Sequence, residues 1–166
     1  MAVIDNTFET QGTHLYFVDT VTSSVDAIAK VTCPTGITGI ADAARDSIDT
    51  TCLDVLDGFR TRVAGMADPA VLNVPFILYD GDAGHQTLIE LRRTKDVVGW
   101  LVGLSDATTA PTVIDSDGDI TAPAGRTCFT FKGYVANVAF EASTNEVIRG
   151  TLTVQPSGAI TPHWAA

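Results

Sequence analysis

The stretch Asp46 to Asp80, DSIDTTCLDVLDGFRTRVAGMADPAVLNVPFILYD, constrains the fold more than any other part of the chain. It opens with a short alternating run, Ile48 to Leu53, and closes with a longer apolar run rich in β-branched and aromatic residues, Val71 to Tyr79. Both patterns predict strands. The segment between them, residues 53–70, is long for a connection inside a compact domain. It is also not bland, since Leu53, Val55, Leu56, Phe59, Val63 and Met66 are scattered among charges of both signs. Each large apolar side chain left in water forgoes about 1.5 to 3 kcal/mol. The loop is therefore expected to bury these residues, either against the domain's own core or against a second copy of the chain.

Composition sets the same two options. A chain of 166 residues is one domain with room for a proper core. With 45% hydrophobic residues, only 18% charged residues and a mean hydropathy of +0.21, it is more apolar than a soluble monomer needs to be. The surplus points to subunit contacts, although a well-buried sandwich would absorb it equally. The 20 acidic and 10 basic residues leave a net charge of −10. That balance excludes ordinary nucleic-acid binding, which neutralises phosphates with clustered Lys and Arg. It suits a surface that lets DNA slide past, and it equally suits acidity that serves solubility alone.

Taken in order, Met1 to Gly12 reads as an arm with little structure of its own, in which Val3, Ile4 and Phe8 would be the residues buried on a neighbour. Thr13 to Val18 and Asp26 to Cys33 read as the first two strands, with Pro34-Thr35-Gly36 breaking the second. Ile37 to Arg45 has helical propensity but is too short to stand alone. Asp82 is placed to cap a helix over residues 83–95, with Leu88 and Leu91 on one face and Arg92, Arg93 and Lys95 at the end where the dipole favours cations. Val97 to Leu104 is a strand that puts Trp100 on one face and Gly99 and Gly103 on the other, where the helix or a neighbouring subunit could approach closely. In Arg126 to Ala142 the alternation slips phase near Ala136-Asn137, which predicts a bulge. Ser143-Thr144-Asn145 then turns the chain into a last strand, Glu146 to Val154, making an antiparallel hairpin. Gln155 to Ala166 is punctuated by Pro and Gly and reads as a second arm.

Few residues invite chemistry. Asp115-Ser116-Asp117-Gly118-Asp119 resembles a fragment of a calcium loop, but its glycine comes too early and Arg126 stands where a bidentate Glu is required, so a solvated turn is the better reading. His14, His85 and His163 form no His-Glu-x-x-His pair, and His14 reads as a satisfied core histidine. No nucleophile elbow and no phosphate-binding glycine loop is present. Cys33, Cys52 and Cys128 contain no Cys-x-x-Cys pair and read as small buried hydrophobes in strands. No catalytic residue, metal or cofactor is expected. The N-terminus lacks a signal-peptide pattern, and no apolar run approaches the roughly 18 residues of a membrane span.

The order of the pieces resembles the major tail tube protein family of long-tailed bacteriophages. Asp49-Thr50-Thr51-Cys52-Leu53-Asp54, Phe59-Arg60, Val63-Ala64-Gly65-Met66-Ala67-Asp68-Pro69 and Tyr79-Asp80 carry the likeness. So do the helix from Asp82 to Asp96, the Trp100 strand, Phe131-Lys132-Gly133 and Phe140-Glu141-Ala142. The resemblance implies a mostly β, antiparallel sandwich or half-barrel spanning residues 13–154 with one flanking helix. It further implies a structural virion protein, not an enzyme, whose rings, hexameric in that family, stack into a tube that conducts DNA. Partners would be other copies, the tail tip, the tail terminator and the tape measure protein, with assembly in the host bacterial cytoplasm. On this reading Leu53, Leu56, Phe59, Arg60, Arg62, Val63, Met66 and Asp68 make the contact between rings, and Asp26, Asp46, Asp49 and Glu141 are acidic candidates for the lumen. A β-sandwich adaptor or decoration module of a virion is the alternative, forming a single ring or a monomer, and a small hydrolase is the third class.

Overall fold

The structure, a computed structural model, describes residues 8–22, 25–41, 44–52 and 58–165. Among them run β1 (His14–Asp19), β2 (Ala27–Lys30), β3 (Arg45–Asp49), β4 (Arg62–Ala67), β5 (Leu72–Ile77), α1 (Ala83–Thr94), β6 (Val98–Gly103), β7 (Cys128–Glu141), β8 (Arg149–Pro156) and β9 (Thr161–His163). The expected mostly β, antiparallel fold with one flanking helix is what forms. A seven-stranded sheet runs β2-β1-β6-β7-β8-β5 with β9 beside β7, while β3 and β4 form a separate sheet of two.

The long strand β7 joins the two halves of the large sheet. β6 pairs with it from Cys128 to Gly133, and β8 pairs with it from Gly133 to Glu141. The register shifts between Val135 and Asn137, where the phase slip predicts a bulge. One extra residue there keeps Val135 and Val138 on one layer, buried opposite Val154 and Leu152. Two runs that strict alternation would put on opposite faces thus share one core. On the same face Phe17, Trp100 and Phe131 stand side by side across β1, β6 and β7, with ring centroids 5.5 and 6.4 Å apart, and the Trp100 indole N–H donates to the Gly133 carbonyl at 3.0 Å.

Helix α1 starts where its cap is expected. The Asp82 carboxylate accepts the His85 amide at 3.0 Å, and Lys95, in the left-handed region, closes the last turn through its amide to the Leu91 carbonyl. Leu88 and Leu91 are buried, and the His85 ring stacks on Phe76 at 4.6 Å. Following the registers from Phe76 through Gly150, Val135 and Phe131, the helix lies over the Trp100 face. The glycine face of β6 therefore admits neither the helix nor, at these positions, a neighbour. A Cβ on Gly99 would come within 2.7 Å of the Gly118 carbonyl, so the Asp115–Ile120 turn fills that place, and one on Gly103 would meet the Arg126 guanidinium at 2.6 Å.

Arg126 is 1% exposed and is satisfied by backbone. It donates to the carbonyls of Leu104, Thr109, Gly12 and Gly103 at 2.8 to 3.1 Å, and to His14 Nδ1 at 3.2 Å. Burial first, then the charges of Lys30 and Arg126, hold the His14 pKa below its ordinary value. The Asp115 carboxylate accepts the amides of Asp117 and Asp119, and Lys132 reaches the Asp117 carbonyl and the Asp119 carboxylate. The acidic turn is thus held by its own contacts.

Several boundaries differ from expectation. The strand expected over Ile48 to Leu53 is β3, ending at Asp49. The described residues of Ile37 to Arg45 are not helical; instead Pro34 bridges Phe76 and Thr38 bridges Asn73 along the outer edge of β5, and Arg45 already belongs to β3. Backbone pairing with an existing edge satisfies more groups than one unsupported helical turn. The tail beyond Gln155 is not a free arm through its described length: β8 continues to Pro156, Ile160 is buried, and β9 pairs with β7. At the other end residues 1–7, with Val3 and Ile4, lie outside the described residues, while Phe8 is exposed. Only Cys128 is a buried strand cysteine, since Cys33 sits half-buried at φ +50 and Cys52 is exposed.

Two outcomes follow from this packing. A Cβ on Gly150 would lie 2.3 Å from the tip of the Phe76 ring. Gly150→Ala is expected to cost about 1 to 3 kcal/mol in urea unfolding, and the pair Gly150→Ala with Phe76→Leu to cost less than the sum of the singles. For Asp82, burial pushes the carboxyl up, but hydrogen bonds from the Thr32 hydroxyl and the His85 and Gly84 amides, with the His85 charge, outweigh it and leave the pKa lowered. A lowered folded value means stability that is present above the unfolded pKa of about 3.9 and is lost as pH falls through the folded one. Asp82→Ala is therefore expected to cost about 1 kcal/mol at pH 7, with the gap to wild type closing as unfolding is measured at progressively lower pH below about 4.

Candidate assembly interface

The β3–β4 hairpin leaves the body beside the start of β5. Its departure needs Gly39, whose φ is +93 and where a Cβ would fall 2.1 Å from the Val71 carbonyl. Within the hairpin Ile48 faces Val63, Asp49 faces Arg62 and Ser47 faces Ala64, with a register shift between Arg45 and Ser47. Beyond the strands the Thr50 amide donates to the Thr61 carbonyl at 2.9 Å, and the Thr61 amide donates to the Thr51 hydroxyl at 3.0 Å. The Asp49 carboxylate accepts the hydroxyl and amide of Thr51, which hold its pKa below the ordinary carboxylate value. Arg60 stands 3.8 Å from Asp49, and both are well exposed, so solvent screens this ion pair and it contributes little.

Among the described residues no second layer covers the hairpin. Every residue of β3 is exposed, and so is every residue of β4 except the half-buried Gly65. Ile48 and Val63 are each 55% exposed, Phe59 77% and Met66 90%. Among the described residues the pair is joined to no other strand, and two strands by themselves are at best marginally stable in water. The domain's own core is thus not where these side chains go.

Sequence reasoning placed the interface on residues 53–70 as a loop. The structure differs: Arg62–Ala67 is a strand, and it brings Arg62, Val63 and Met66 onto one hairpin with Phe59 and Arg60 leading in and Asp68 leading out. Leu53 and Leu56 lie outside the described residues. Ile48, opposite Val63, was missed as part of the surface, although its place in the alternating run marks it. Also missed were Tyr79, Phe140, Val147 and Ile148, all exposed at the far end of the large sheet. The four acidic lumen candidates are not brought together: Asp46 and Asp49 sit on β3, Asp26 precedes β2, and Glu141 ends β7 opposite Arg149. Among the described residues there is no group of three metal-ligating side chains, and no helix is long and apolar enough to cross a membrane.

Comparison with known proteins gives a consistent answer. Residues 6–166 match the model of the family described as phage tail tube, TTP, lambda-like. Structural protein 3 of Pseudomonas phage PAJU2 is 37% identical over 157 residues, covering 93% of this chain and 92% of that protein. Among solved structures, the SPP1 tail tube superposes with a TM-score of 0.66 at 10% identity over 94% of this chain and 78% of its own. The tail of an empty gene transfer agent particle, refined with C6 symmetry, superposes at 0.60 and 13% identity over 93% of this chain and 98% of its own. At such identities these two share the fold. The family match spans the chain almost from end to end, and on it the chain belongs to the lambda-like phage tail tube protein family, a non-enzymatic structural family of the virion.

Proposed function

We propose that this chain is the repeating subunit of a tail tube in which rings of six copies stack and genomic DNA leaves the capsid through the bore. The observation that carries this reading is the exposed hairpin: Ile48, Val63 and Met66 are presented to solvent on two strands that, among the described residues, pair with no other strand, and Phe59, just before β4, is 77% exposed. Burial on a copy in the next ring supplies the missing layer. The C6 symmetry used for the gene transfer agent tail supports six copies per ring.

The two ends of the subunit suit this arrangement. The hairpin is rooted beside Leu72, at one end of β5, and Tyr79, Phe140, Val147 and Ile148 form an apolar rim past Ile77 at the other. Five residue steps of strand separate those ends by about 17 Å. A protruding apolar element at one end and a receiving rim at the other give a head-to-tail contact, which grows a filament and does not close on itself. Leu53 and Leu56 would add to the same contact. The tail tip would start the tube, the terminator would stop it, and the tape measure protein would occupy the bore before DNA does. Assembly takes place in the host cytoplasm.

The interface is tested by truncating it. Phe59→Ala and Arg60→Ala are expected to leave the subunit folded, with stability within about 0.5 kcal/mol of wild type by urea unfolding. Tube growth seen by light scattering and negative-stain microscopy is expected to be lost. Normal tubes from both variants would remove the hairpin from this role.

A further inference from the structure

On the face of the large sheet away from α1, two surface segments stand apart and leave a cleft of about 530 Å³ between them. Residues 115–122 make one wall, residues 157–163 make the other, and Thr130 and Lys132 of β7 lie between. A cleft of this size falls in the range of small-molecule sites, about 300 to 1,000 Å³.

Both walls are fixed by the body. In the first, the Asp115 amide donates to the Asp119 carbonyl at 2.9 Å, Ile114 bridges Ile120, and Ile120 is buried. The close approach of Gly118 to Gly99 seats this wall on β6. In the second, Thr161 pairs with Thr130 and His163 with Cys128, while the Ser157 amide donates to the Lys132 carbonyl at 2.8 Å. The Thr130 hydroxyl and His163 Nε2 are hydrogen-bonded at 2.9 Å, and Ile160 is buried. A ligand entering here would not have to order the chain first, and that ordering is a large part of what binding costs.

The lining selects the chemistry. Its carboxylates are Asp115 and Asp119, and its ammonium is Lys132. Lys132 Nζ lies 3.5 Å from the Asp119 carboxylate and donates to the Asp117 carbonyl at 3.0 Å. The Asp115 carboxylate is engaged by the amides of Asp117 and Asp119. Two carboxylates against one ammonium oppose an anion, and the carboxylate left over already holds the turn, so it offers a cation little. A neutral ligand is what remains. Thr121, Ser157 and Thr161 bring hydroxyls from both walls, each able to donate and to accept. Ala122 and Ala159 bring small apolar surfaces between them. A molecule dense in hydroxyls that also carries C–H faces matches both.

We infer that the cleft between residues 115–122 and 157–163 binds a neutral saccharide. This is a binding function beside the structural one, and it does not rest on the tube reading.

The test is saturation-transfer difference NMR of the full chain with glucose, galactose, N-acetylglucosamine and rhamnose, which reads the bound sugar whether the chain is free or assembled. At least one sugar is expected to give a saturable signal well above that of glycerol. Ala159→Trp, which fills the cleft, is expected to abolish it, and Thr161→Val, which removes one hydroxyl, to weaken binding by about three- to tenfold. Ala122→Leu fills the same cleft from the other wall should Ala159→Trp fail to fold by urea unfolding. No saturable signal from any of the four sugars, a signal no stronger than glycerol's, or one unchanged when the cleft is filled overturns the inference. Preferential binding of inorganic phosphate or spermidine overturns it as well.

Discussion

A two-stranded sheet cannot bury both of its faces, and that constraint governs this molecule. The β3–β4 hairpin places Ile48 and Val63 on one side and Met66 on the other, and among the described residues all three side chains stay largely exposed. Each of those side chains would gain on the order of 1.5 to 3 kcal/mol by full burial. Repeated over the many copies of a tube, such modest terms add up. The exposed Arg60–Asp49 pair contributes little by comparison and serves to set the shape of the hairpin.

The body is organised around one long strand. β7 carries the two halves of the sheet, its bulge keeps one core continuous across them, and α1 closes the core through Leu88 and Leu91. On the opposite face Arg126 ties residues near Gly12, Gly103, Leu104 and Thr109 together through four backbone carbonyls. Leaving such buried acceptors unpaired costs about 1 to 3 kcal/mol each.

Much of this was legible in the sequence because the signals were local. The Asp82 cap, the cationic last turn of α1, the alternation of β6 and the phase slip at Ala136-Asn137 each depend on residues a few positions apart. What sequence could not give depends on distant partners. Arg62–Ala67 is small, exposed on both faces and without a clear period, so it reads as loop until its pairing with β3 is seen. The neighbours of Gly99 and Gly103 are a turn and an arginine about 20 residues away, which no periodicity announces. The alternation of Thr151 and Thr153 was visible in the sequence, but the register that sets Thr153 beside Asn73 and Asn137 was not.

A cryo-electron microscopy reconstruction of the assembled form tests the central claim most directly, through the exposure of Ile48, Phe59, Val63 and Met66 in place. Loss of most of that exposure against a copy in the adjacent ring is the expected result. A hairpin still open to solvent in the assembly, or folded back over its own subunit with no neighbour touching it, would contradict it.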